Sequence, residues 1–133
     1  MYEINELMIT KYCIRELGYD FMGYPQYDKK DVLTFHHLVI PKREKGKRTI
    51  ENGAILYRMP HNYLHLIEHY DLELFFAISS EMLDMNIKGY LDMSNIIQIN
   101  KLLGYFEEEF KNKYVHGKPL IKEEYTRRLI KKW

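Results

Sequence analysis

The sequence predicts an α+β fold in which a two-stranded hairpin runs into a helix and further helices lie on both sides. Three observations predict it. Residues 32–40, "VLTFHHLVI", and 54–58, "AILYR", are two short strand-like runs separated by a polar, Gly-containing stretch. After Pro60 the apolar residues take up helical spacing. The same spacing fills residues 4–17 and most of 72–110.

Taken in order, "INELMITKYCIREL" (4–17) carries Ile4, Leu7, Met8, Ile14 and Leu17 at helical spacing, with Gly18 as a stop. The first helix is therefore expected to be one amphipathic piece. Residues 18–31, with two Gly, one Pro and several polar side chains, are expected to form a loop. The first strand (32–40) ends at Pro41, and "KREKGKRTIENG" (42–53) links it to the second, giving a wide hairpin. Pro60 suits a first helical turn, where a missing N–H is harmless. Tyr63, Leu64, Ile67 and Tyr70 follow on one helix face. Asp71 opens a further helix that runs to Lys88-Gly89, and Asp92 or Ser94 caps "NIIQINKLLGYFEEEF". "VHGKPL" (115–120) reads as a break. Residues 121–133 read as a final basic helix or a loosely held tail. A chain of 133 residues suggests one domain over 1–133, with its core at 32–70 and a helical extension at 71–133.

Composition removes several function classes. With 46% hydrophobic and 29% charged residues the chain is globular, and no apolar run is long enough to span a bilayer. The N-terminus carries acids where an export signal would carry bases, so a cytoplasmic location is expected. The single cysteine, Cys13, excludes an internal disulfide and a Cys-rich zinc knuckle, and its apolar helix predicts a core position. A net charge of +1 means that attraction to nucleic acid must come from local patches.

The chemistry concentrates in histidines. His36 and His37 are adjacent on the first strand, so their side chains point to opposite faces. His61 and His65 are four residues apart at the start of a helix and face the same way, a spacing that lets two imidazoles share one metal ion. One strand histidine could complete a three-His site. The other would stay unligated, with an unperturbed pKa near neutrality that suits a general base. A metalloprotease reading of "HNYLH" fails, because the general-base Glu of H-E-x-x-H is Asn62 here.

The segment 33–65 resembles the HNH, or ββα-metal, nuclease family. The family pattern is a His-His (or Asp-His) pair, a proline, a Gly-containing loop, an Asn, and a His about nine residues after it. This sequence reads His36-His37, Pro41, Gly46, Asn52 and His61. The added His65 is similar to the nuclease domains of DNA-cleaving colicins, whose helix carries a second histidine ligand four residues on. The resemblance implies a ββα-metal core and metal-dependent phosphodiester hydrolysis, in DNA more than in RNA. By that resemblance His36, His61 and His65 are metal ligands, His37 is the base that activates water, and Asn52 orients His37. It implies one divalent ion. Three imidazoles and no carboxylate favour Zn2+, Mn2+ or Ni2+ on ligand softness, and the family equally allows Mg2+.

The chain also departs from the family. Many members carry two CxxC knuckles for a structural zinc. The matching positions here are Tyr19 and Met22, then Tyr57 and Pro60, so no structural zinc is expected and apolar packing should replace it. The usual Gly-Gly of the loop is Gly46-Lys47.

Beside this site the loop cations Lys42, Arg43, Lys45, Lys47 and Arg48 are expected to contact the phosphate backbone of a nucleic-acid partner, expected to be double-stranded DNA. Arg127, Arg128, Lys131 and Lys132 fit a nucleic-acid contact or a solvated terminus equally well. His69 continues the i+4 series, but helical geometry swings it roughly 80° from His61, onto the surface. His116 lies in a Gly/Pro loop and carries no signal. Membranes are not expected as a partner. A reading from a different class is a non-catalytic module that keeps the scaffold to bind nucleic acid or protein, as a regulator or inhibitor in a phage–host conflict. The intact set His36, His37, Asn52 and His61 argues against it.

Overall fold

The computed structural model describes residues 2–39 and 49–127. Its architecture is α+β. Helices α1 (Tyr2–Lys11) and α2 (Ile14–Leu17) precede strand β1 (Leu33–His37). A 3-10 turn at Ile50–Asn52 leads into β2 (Gly53–Tyr57). Helices α3 (Arg58–Tyr70), α4 (Leu72–Lys88) and α5 (Met93–Phe110) follow. A miniature hairpin of β3 (Tyr114–Val115) and β4 (Lys118–Pro119) then leads to α6 (Glu123–Arg127).

β1 and β2 pair antiparallel from Leu33 opposite Tyr57 to His37 opposite Gly53. β2 is buried along its whole length and packs against α1, α3 and α4 as well as β1. The core around it draws on Met8, Tyr12, Phe21, Ile55, Leu64, Ile78, Ile99 and Phe106. β2 therefore forms the inner wall of the hairpin, while β1 carries the histidine pair at its far end.

The expected single helix over 4–17 is instead broken. Cys13 adopts a left-handed conformation (φ 55°, ψ 38°) between α1 and α2. At about 100° per residue, Tyr12 and Ile14 would point to opposite sides of one straight helix. The break lets both be buried. Cys13 itself is exposed, which corrects the expected core position. Leu7 and Leu17, expected on the apolar face, are also exposed.

Residues 18–31 lack regular structure, yet Tyr19–Tyr24 are buried. Two buried carboxylates explain how such a segment is held. Asp20 accepts from Met22 N–H (2.9 Å) and Tyr24 N–H (3.0 Å) through Oδ1, and from Tyr57 N–H (2.9 Å) through Oδ2. Asp31 accepts from Tyr27 N–H (3.0 Å) and from Met59 N–H (2.8 Å). The second bond caps α3 from a distance. Arg58 N–H donates to Val32 O (2.8 Å) and Pro60 has no N–H, so the first turn of α3 is satisfied by the segment entering β1.

The remaining helices begin where expected. Asp71 accepts from Leu74 N–H at the start of α4, and Asp92 from Ser94 N–H at the start of α5. Gly89, in the left-handed conformation, ends α4. Smaller corrections concern ends and turns. β1 spans 33–37 rather than 32–40, and β2 spans 53–57 rather than 54–58. Residues 115–120, expected as a break, take part in the β3–β4 hairpin, whose turn residues His116 (φ 52°) and Gly117 (φ 77°) both have positive φ. Tyr70, expected on the buried face of α3, is exposed beside Phe110, while His69 is exposed as expected. Tyr125 of α6 stacks on Tyr63 of α3, with ring centroids 4.3 Å apart. Arg128, Lys131 and Lys132 lie outside the described residues.

Candidate metal centre

The alternation of β1 sorts its side chains onto two faces. Thr34 and His36 turn toward α3. Phe35 and His37 share the other face, their rings 5.0 Å apart and edge-on. The opposition expected of the two adjacent histidines is thus present. Across the strand pair, Gly53 faces His37. A Cβ on Gly53 would stand 2.2 Å from the Phe35 ring, so only a glycine leaves room for that ring beneath His37.

On the α3 side, His36 Nδ1 lies 3.3 Å from His61 Nε2, and His65 Nε2 lies 3.1 Å from the same His61 nitrogen. One ring nitrogen from each of the three falls within 4.8 Å of the others. The α3 histidines reach this point because they are one helical turn apart and because Asp31 fixes the start of the helix against β1. Burial is graded across the cluster: His36 is buried, His61 half-buried and His65 exposed. The cluster is therefore walled on the strand side and open to solvent at His65. Phe75 of α4 lines the wall, with its ring edge-on to His36 at 6.0 Å and stacked beside His65 at 6.4 Å.

This environment keeps the rings of His36 and His61 neutral. Burial, reinforced by the neighbouring imidazoles, holds the His36 pKa well below the usual imidazole range. Burial and the proximity of His65 and His37 push His61 down to about 4. Neutral imidazoles are the metal-binding form. A tetrahedral ion with metal–nitrogen bonds of about 2.0–2.1 Å separates its nitrogen ligands by about 3.3 Å, close to the two spacings here. Nitrogen lone pairs aimed at one point repel unless a proton or a cation lies between them. His36 Nε2 is buried and has no hydrogen-bond partner among the described residues. The donor set fits one divalent ion of the transition series, bound on three imidazoles with the His65 side open to water or substrate.

Asn52 ends the 3-10 turn next to Gly53 and is buried. Its Oδ1 accepts from Val39 N–H (2.8 Å), and its carbonyl accepts from Leu38 N–H (2.8 Å). It thereby fastens the chain where it leaves β1, just beyond His37. Asn86 of α4 in turn donates to Ile50 O (2.7 Å) and Gly53 O (2.6 Å), which ties this corner to the helical layer. Tyr19, Met22, Tyr57 and Pro60, the positions that match the absent cysteines, are all buried, and the Asp20 carboxylate joins the two segments that carry them. Lys42, Arg43, Lys45, Lys47 and Arg48 lie outside the described residues.

Sequence reasoning missed Thr34, Glu68, Phe75 and the two buried aspartates. Thr34 and Glu68 could have been found from spacing, because Thr34 is two residues before His36 on the strand and Glu68 is three after His65 on the helix. Asp20 and Asp31 combine short-range turn contacts with one bond each to a backbone N–H 37 and 28 residues distant, and no local pattern signals the distant bonds. Comparison with family models, with curated proteins and with solved structures finds no match for this chain.

Proposed function

We propose that the protein is a metal-dependent endonuclease with a ββα-metal core that hydrolyses phosphodiester bonds in DNA. The observation that carries this reading is the convergence of His36, His61 and His65 on one point, with His37 on the opposite face of the same strand. A hairpin leading directly into a helix, with the histidines on the first strand and the helix, is the arrangement that the motif resemblance implies.

In this reading His36, His61 and His65 hold one divalent ion. When bound, that ion supplies Lewis-acid stabilisation of the charge that develops on the phosphate and the leaving 3′ oxygen. His37, held off the ligand cluster by strand alternation, accepts the proton of the attacking water. Asn52 keeps His37 in place by fastening the backbone that follows it. Phe75 excludes water behind the ligands. The cations of the 42–48 loop supply phosphate contacts.

Purified protein is incubated with supercoiled plasmid and, in turn, Mg2+, Mn2+, Zn2+ or Ni2+. The expected result is conversion to nicked or linear DNA that stops on adding EDTA. His37→Ala should lower the rate by about 10²–10⁴-fold while leaving metal affinity intact. A plasmid that shifts in a gel with every ion and is never cut would overturn the catalytic reading. Cleavage by His37→Ala at the wild-type rate would overturn the base assignment.

A further inference from the structure

Thr34 and Glu68 each touch a candidate ligand on the nitrogen that faces away from the cluster. The Thr34 hydroxyl donates its only proton to Leu56 O at 2.8 Å. Its oxygen also lies 2.8 Å from His61 Nδ1. With its proton committed to the Leu56 carbonyl, Thr34 can only accept at that contact. His61 Nδ1 must therefore carry the hydrogen, which leaves Nε2 as a bare lone pair directed at His36 and His65.

Glu68 does the same for His65 with a carboxylate. Its Oε1 lies 2.9 Å from His65 Nδ1. A carboxylate accepts only, so His65 Nδ1 is the donor, and Nε2 is again the nitrogen that faces His61. The two contacts come from different elements, a strand hydroxyl and a helix carboxylate, and both have the same consequence.

We propose that Thr34 and Glu68 are positioning residues that fix His61 and His65 in the Nδ1–H tautomer, so that both present Nε2 to one divalent transition-metal ion. The metal arm of this proposal rests on the reading of the cluster as a metal centre. The tautomer arm rests on the hydrogen bonds alone. The two contacts differ in strength. The Thr34 bond is sheltered beside β2 and orients a half-buried ring. The Glu68 bond joins two partly exposed side chains and is more open to competition from water.

The test uses the full chain, treated with chelator, and long-range proton–nitrogen NMR correlations of the imidazoles at pH 8. Wild type should show His61 and His65 as Nδ1–H tautomers. Thr34→Val keeps the β-branched shape of the strand residue but removes the acceptor, and should move His61 to a mixture of tautomers. Thr34→Ser should restore the wild-type pattern. Glu68→Ala should release His65, and Glu68→Gln, which keeps a carbonyl acceptor, should hold it. Zn2+ affinity, read by competition with a chelating dye, should fall about 10–100-fold in Thr34→Val, fall less in Glu68→Ala, and be retained in Thr34→Ser. Unchanged tautomers in Thr34→Val and Glu68→Ala would overturn the positioning role. Unchanged Zn2+ affinity in both variants would overturn its link to the metal. Neither readout requires DNA cleavage, so a protein that cuts nothing but shows these shifts would lose the nuclease reading and keep this one.

Discussion

His36 Nδ1 on β1 and His61 Nε2 on α3 stand 3.3 Å apart across 25 residues of chain. Both rings are held neutral by burial, and the pair is the junction between the hairpin and the helix. The consequence for stability has a definite sign. Folded His36 and His61 have pKa values below the unfolded value of about 6.5, with His61 at about 4. As pH falls below 6.5, the unfolded chain takes up protons that the folded one refuses, so stability is complete above pH 6.5 and is lost as pH falls toward 4. In EDTA, urea unfolding at pH 4.5 should show the protein less stable than at pH 7.5 by on the order of 2 kcal/mol from His61, with a further loss from His36. His61→Gln should flatten that slope. The same slope in wild type and His61→Gln would show that the ring is not buried in its neutral form.

Asp20 stands where the resemblance would have a zinc knuckle, and it accepts three backbone hydrogen bonds, two from within the 18–31 segment and one from Tyr57 at the end of β2. Asp20→Ala leaves three N–H groups of buried residues without this acceptor. At about 1–3 kcal/mol for each unsatisfied group, partly offset by water entry, the loss should reach about 3–5 kcal/mol and should show in thermal melts and urea midpoints. Asp20→Asn, which keeps one oxygen, should cost less. An alanine variant as stable as wild type would remove the carboxylate from its role as the cross-link.

The hairpin, the helix that follows it and the capped starts of α4 and α5 were legible because their signals are local: β-branched runs, helical spacing, and Asp71 and Asp92 at helix entries. The three-His cluster was legible because two short-range rules, strand alternation and i, i+4 spacing, combine to give it. The break at Cys13 was not, because it resolves a conflict between Tyr12 and Ile14 that exists only once the core is assembled. Nor was the burial of residues 19–24. Their polar and glycine content reads as loop, and the backbone is in fact satisfied by Asp20, whose partner Tyr57 lies 37 residues away.

Gly53→Ala tests the Phe35–His37 face. The conformation at Gly53 is ordinary extended backbone (φ −139°), so the cost is steric and not conformational. The new methyl would meet the Phe35 ring at 2.2 Å, and the ring must move. Overpacking of this kind costs about 1–3 kcal/mol. Because the Phe35 ring is edge-on to His37, under the proposed nuclease reading cleavage of plasmid should fall by more than the loss of folded protein accounts for, while Zn2+ affinity at the His36 face should stay close to wild type. Loss of metal affinity equal to the loss of cleavage would mean that the two faces of β1 are not independent.

Asp31 links the fold to the site most directly, because it caps the helix that carries His61 and His65. Its two carboxylate oxygens accept from Tyr27 and Met59 N–H, and Pro60 can offer α3 no donor of its own at the next position. Asp31→Ala removes the cap and leaves Met59 N–H exposed to a poorly hydrated corner. The expected destabilisation is about 2–3 kcal/mol, a capping loss of about 1 kcal/mol plus the unsatisfied second donor. The position of His61 depends on where α3 starts, since Thr34 and His36 meet it from a fixed strand. Zn2+ affinity should therefore fall in Asp31→Ala even at temperatures where the variant is fully folded by circular dichroism, although Asp31 is not itself a ligand. Asp31→Asn, which can still accept from Met59, should recover most of that affinity and less of the stability. If the alanine variant binds Zn2+ as tightly as wild type while it melts earlier, α3 keeps its register without the cap, and packing of Leu64 and Ile67 alone holds the histidines in place.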